Sequence, residues 1–168
     1  MATFRIDPNR SRVWIEARSS MHPIQGEAEG LEGSIEAEVA EGRIDVTREP
    51  RIQIELPVEK LRSGKKLEDS EMLRRIDARR YPRITGETTE LKENNGRYHI
   101  RGDLTFHGVT RQVEGEVTIS APDERSLIIE GEQIFDIRDF GVEPPKILMF
   151  KVHPDVRVRV QVVARQES

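Results

Sequence analysis

Four histidines, a surplus of carboxylates and one arginine-rich stretch are the residues of this chain with chemistry to offer. His22, His99, His107 and His153 are scattered. None stands in the H-E-x-x-H spacing, or any other tight spacing, that brings two imidazoles onto one metal ion. His99 and His107 are an even number of residues apart, so an extended strand places them on one face. At roughly 3.3 Å per residue, however, they stand about 26 Å apart. No Gly-x-Ser-x-Gly nucleophile turn and no phosphate-cradling glycine loop occurs. The absence of cysteine removes thiol nucleophiles, thiolate metal sites and disulfides together. Glu27, Glu29, Glu32, Glu36, Glu38 and Glu41 are spaced as the solvent side of a strand and its loops, and nothing selects a pair for acid–base work. The chain is therefore expected to be no enzyme, with no catalytic residue, no metal site and no cofactor.

Charge is the next signal. With 27 basic and 31 acidic side chains the net charge is −4, and both signs run through the chain, which argues against a nucleic-acid partner. The distribution is uneven. Residues 27–41 hold six acids and no base, whereas residues 59–83 hold nine bases against five acids. The plain reading of that basic stretch is a solvated helix laced with ion pairs. The functional reading is a site for an anionic head group, centred on Arg79, Arg80 and Arg83, or a transient contact with an anionic membrane surface. No apolar stretch approaches the length of a membrane span. Met1–Asp7 begins with strand-like residues and no apolar leader, which sets the expectation of a cytoplasmic protein.

The elements that must position these residues are mostly strands. Apolar residues alternate with polar ones in Val13, Ile15 and Ala17, in Ile35, Ala37 and Val39, and in Ile52, Ile54 and Leu56. The same period of two recurs in Tyr98, Ile100, Leu104 and Phe106, in Val113 and Val117, in Leu127 and Ile129, and from Val156 to Val162. This period marks half-buried strands with one apolar face. His107-Gly108, Asn95-Gly96 and, more weakly, Glu41-Gly42 supply tight hairpin bends. Residues 66–78 break the pattern with helix formers, Asp69 or Ser70 offering a cap and Tyr81-Pro82 a stop. A short helical turn is expected near Asp136–Phe140. The fold class that follows is all-β over residues 1–168: a single antiparallel barrel of eight strands with one helical excursion. Such a barrel is either filled by its own side chains or holds one small ligand, and the pattern alone leaves both open.

Several of these segments carry a resemblance. FRIDPNRSRVWIEAR (Phe4–Arg18), Leu56–Met72, Ile76–Thr85, GDLTFHGVTRQVEGEV (Gly102–Val117), FDIRDFGV (Phe135–Val142) and VHPDVRVRVQV (Val152–Val162) follow one another in family order. On them the chain resembles the YceI-like family of polyisoprenoid-binding proteins with a lipocalin-like barrel. The resemblance implies non-enzymatic binding or transport of a long apolar lipid: an isoprenoid quinone, a polyprenyl phosphate or a fatty-acid-like chain. The alternative is a ligand-free barrel acting as a stress-response or interaction module, and a second copy of the chain is a further candidate partner.

Placed on the strands, the ligand-facing residues are expected to be Val13, Ile15, Ile35 and Ala37 on the N-terminal strands and Ile52, Ile54 and Leu56 on the next. Leu104, Phe106, Val113 and Val117 would follow on the central hairpin, then Leu127, Ile129, Phe135, Phe140 and Met149 in the C-terminal part. Met72 and Leu73 of the helix would close one end.

Overall fold

The computed structural model describes residues 1–144, 146, 147 and 150–167, with side chains described for 1–144 and 151–167. Met149 and its expected place on the ligand-facing wall lie outside the described residues. β1 (Ala2–Ile6), β2 (Arg12–Ser19), β3 (Ile24–Ala28) and β4 (Glu32–Ala37) lead into a small hairpin of β5 (Val39–Ala40) and β6 (Arg43–Ile44). β7 (Arg51–Pro57) precedes the helix α1 (Lys66–Arg75). The long strands β8 (Arg83–Asn94), β9 (Arg97–Phe106), β10 (Val109–Asp123) and β11 (Ser126–Asp136) follow as a meander. β12 (Lys146–Ile147) and β13 (Phe150–Gln166) complete the chain.

Eight antiparallel strands close on themselves in the order β1-β4-β7-β8-β9-β10-β11-β13, with β13 returning to β1. Closure is possible because β13 is long enough to serve twice. Its C-terminal end pairs with β1 (Ile6↔Ala164), and its earlier part pairs with β2 (Val13↔Val160). At the corner where β1 hands over to β2, buried Ser11 stitches the turn to β13: its Oγ accepts from Val163 N at 3.0 Å, and Asp7 N donates to Val163 O at 2.8 Å. β3 pairs with β2 and is tied to the segment before α1 by reciprocal backbone bonds between Glu27 and Arg62.

The three glycine turns behave as their residues dictate. Glu41-Gly42, Asn95-Gly96 and His107-Gly108 each place both residues at positive φ, the geometry whose twist matches the flanking strands. The turn at Ile137–Phe140 also forms, with Asp136 capping it by accepting from Arg138 N.

The helical excursion differs in detail from expectation. It ends at Arg75 rather than 78, through a left-handed Asp77 with Ala78 N bonded to Leu73 O and Asp77 N to Arg74 O. Asp69 is no N-cap. It lies inside the first turn, buried, and its carboxylate instead accepts from Ser63 N and Ser63 Oγ, both at 2.8 Å, fastening the helix to the loop before it. Leu67, expected on the apolar stripe, is exposed.

Candidate functional site

The barrel is packed at one end and hollow at the other. At the packed end Phe4, Ile35, Ala37, Leu127 and Ala164 are almost wholly buried, and Tyr98 and Ile44 fill in beside them. Towards α1 and the Ile137–Phe140 turn the same strands enclose a cavity of about 450 Å³. That volume lies within the range of small-molecule sites.

The hollow has a simple cause. Inward positions on five strands are glycines: Gly26, Gly86, Gly102, Gly115 and Gly131 all stand on the wall of the cavity. Several are there because a neighbour leaves no room. A Cβ on Gly102 would stand 2.6 Å from Glu87 O, and one on Gly86 would stand 2.9 Å from Ile54 Cγ1. Gly115 differs, since its Cβ would meet only the Gln133 side chain, at 3.7 Å. The remaining wall is aliphatic and aromatic, so the interior offers contact area with few polar groups to satisfy.

Most of the expected ligand-facing residues meet on this wall. Val13, Ile15, Ile52, Ile54, Leu56, Leu104 and Phe106 line it, as do Val113, Val117, Ile129, Phe135, Phe140 and Met72. Ile35, Ala37 and Leu127 do not: their strands carry them into the packed end, where they form solid core. Leu73 also misses the cavity and packs in a side cluster with Val58, Ile76 and Val142. Sequence reasoning overlooked Ile84, Ile100, Val158 and Val160, which line the cavity. The signal was present, for they have the same strand parity as residues that were named.

The arginines expected at a head group do not reach the cavity. Arg83 is ion-paired with Glu55 on the outer surface, and Arg80 lies over the Tyr81 ring, 5.2 Å from its centroid. Arg79 is exposed and also off the wall. Among the described residues Arg75 is the one Lys or Arg on the lining, and it is shared with Glu71 at 3.2 Å. Hydrogen bonds from Arg74, and secondarily Arg75, hold the Glu71 carboxyl below its ordinary range. Glu68 and Asp69 are the buried carboxylates of this end.

The histidines stand apart from the cavity and from each other. His99 is on the outer face, 3.4 Å from Glu114, whose pKa is lowered first by its bond from Arg101 and then by that from His99. His107 sits at the β9–β10 turn with Nδ1 3.1 Å from Phe140 O and its ring against Tyr81 at 5.0 Å. It thus anchors Phe140, whose ring stacks edge-on against Phe106 at 5.8 Å to form one end of the cavity. Among the described residues no group of three or more His, Asp or Glu side chains is placed to hold a metal ion.

A closed antiparallel barrel with an apolar interior is a lipocalin-like architecture. Residues 4–164 match the YceI-like domain family, and the chain belongs to it. Among solved structures it is similar to BcnA of Burkholderia cenocepacia, with TM-score 0.80 and 19% identity over 94% of this chain and 98% of that one. A polyisoprenoid binding domain from Saccharophagus degradans, implicated in plant cell wall breakdown, gives TM-score 0.76 and 10% identity over 99% and 100%. The Campylobacter jejuni YCEI protein gives 0.68 and 14% over 86% and 85%. No curated protein sequence matches the chain.

Proposed function

We propose that this protein binds and carries a long-chain apolar lipid, an isoprenoid or an acyl chain, inside its barrel, without transforming it. The observation that carries the reading is the hollow half: about 450 Å³ enclosed by apolar side chains and backbone at inward glycines. Membership of the YceI-like family and likeness to a structure described as a polyisoprenoid binding domain support the same ligand class.

The energetics are favourable for a tail. Burying one isoprene unit, with its five carbons, contributes about 4 kcal/mol before ordering costs. A few units therefore exceed the translational and conformational cost of binding. With a single arginine on the lining, already shared with Glu71, most of the affinity comes from the tail and little from an anionic head.

Native mass spectrometry of delipidated protein, titrated with a prenyl alcohol, a prenylquinone and a long-chain fatty acid, tests the proposal. A saturable one-to-one complex with at least one of them is expected. Failure of all three to form such a complex overturns the reading.

A further inference from the structure

The barrel wall is interrupted on one side of the hollow half. β10 and β11 pair in register from the turn as far as Val117↔Gly131 and no further, although both strands continue. Below that point β10 stays bonded to β9 through Val109, and β11 stays bonded to β13 through Asp136. A slot is left between residues 109–116 and 132–136. Glu114, Glu116, Glu132 and Gln133 on its lips are exposed, yet they also line the cavity, so here the interior reaches solvent through a single layer of chain.

The sequence explains the parting. One more step of the β10–β11 register would set Glu116 opposite Glu132, and like charges directly opposed destabilise a strand pair. Each carboxylate is instead drawn to its other neighbour: Glu116 to Arg97 of β9 at 3.2 Å, Glu132 to Arg157 of β13 at 3.1 Å. The next inward pair would be Gly115 and Gln133, which supply no apolar packing across the seam. Two side-chain hydrogen bonds span the slot. Gln133 Nε2 donates to Glu114 O at 2.6 Å in its middle, and Arg111 Nε donates to Asp139 O at 2.9 Å towards its lower end.

We infer that this slot is the passage by which the lipid enters and leaves the cavity, with Gln133 as its gate. The inference rests on the lipid-binding reading. A rigid, fully paired barrel admits a long chain only by breaking several backbone hydrogen bonds, whereas the slot opens by exchanging one side-chain bond for water. A long flexible chain threads such an opening end-on, and the exposed Ile134 on its outer lip offers the tail a first apolar contact.

The chain has no cysteine, so a Glu116→Cys/Glu132→Cys variant carries a unique thiol pair. A short bifunctional thiol reagent then staples the lips, and mass spectrometry verifies the bridge. Uptake of geranylgeraniol is followed by stopped flow, before and after bridging. Bridging is expected to slow uptake and release at least tenfold, and Gln133→Ala to speed both several-fold with unchanged equilibrium affinity. Equal rates for bridged and unbridged protein overturn the slot while leaving the cavity reading intact. Absence of any saturable uptake by the unmodified protein is instead the failure of the lipid-binding reading itself.

Discussion

The two halves of the barrel are built from the same strands and differ in what those strands place inward. β9 offers Tyr98 at the packed end and Gly102 in the hollow; β11 offers Leu127 at the packed end and Gly131 in the hollow. The packed half looks like any close-packed protein interior, with residues such as Ile35 and Leu127 fully buried. The hollow half gives up that packing and the stability it brings. A single strand thus carries both a folding function and a binding function, divided along its length. The seam between β10 and β11 adds a second contrast, since paired backbone ends where the hollow begins.

Truncation should break the comparison most sharply. Ile35→Ala opens a void in solid core and is expected to cost about 3–4 kcal/mol. Ile54→Ala enlarges a space that is already there, so its cost should be about half as large. Urea denaturation of the two variants measures the difference, and equal losses would mean that the halves are equally packed.

Glycine substitutions come next. Gly102→Ala drives a Cβ towards the Glu87 carbonyl and should destabilise by about 1–3 kcal/mol. Gly115→Ala meets open space and should be neutral, or stabilise by about 0.4–1 kcal/mol through the unfolded chain. Thermal melts of the two side by side test whether the inward glycines serve two separate purposes, close approach at one and empty volume at the other.

Smaller effects follow from titration. Burial, with a contribution from Glu93, raises the Tyr98 hydroxyl above its ordinary value. Its neutral form is favoured by folding. That stability is fully present below the unfolded value and is lost as pH rises through the folded one. Tm should therefore fall on the alkaline side near pH ~10 and above, and Tyr98→Phe should flatten that limb. The hollow half has the opposite and weakest dependence. Glu114 is held low by Arg101 and His99 on an exposed surface. Its contribution is present above the unfolded value and is lost as pH falls through the folded one. Glu114→Gln should leave Tm unchanged at neutral pH and reduce slightly the loss of Tm on acidification.

Much of this organisation is legible from the chain. Period-two alternation marks the barrel strands, paired positive-φ turns mark the hairpins, and parity along each strand identifies most of the cavity wall. What alternation does not encode is position along the barrel axis. Ile35 and Ala37 have the same inward parity as Ile52 and Ile54, but only the register of β4 against β1 sends them to the packed end. Charge spacing is likewise blind to orientation. The basic run ending at Arg83 is outward-facing or already paired, and Arg75, which does reach the cavity, gives no distinguishing sign in the sequence. The β10–β11 slot follows from a juxtaposition of Glu116 and Glu132 that no local pattern displays, because it depends on the pairing of two long strands.

The central claim is that the hollow half exists to hold a lipid tail. Ile15 and Leu104 stand on its wall, and an Ile15→Phe/Leu104→Phe variant fills that volume from within. Equilibrium uptake of geranylgeraniol by the delipidated variant, compared with the unsubstituted protein, is the most direct measurement. With circular dichroism confirming that the barrel is intact, affinity should fall at least tenfold. Unchanged affinity and stoichiometry in the filled barrel would contradict the account.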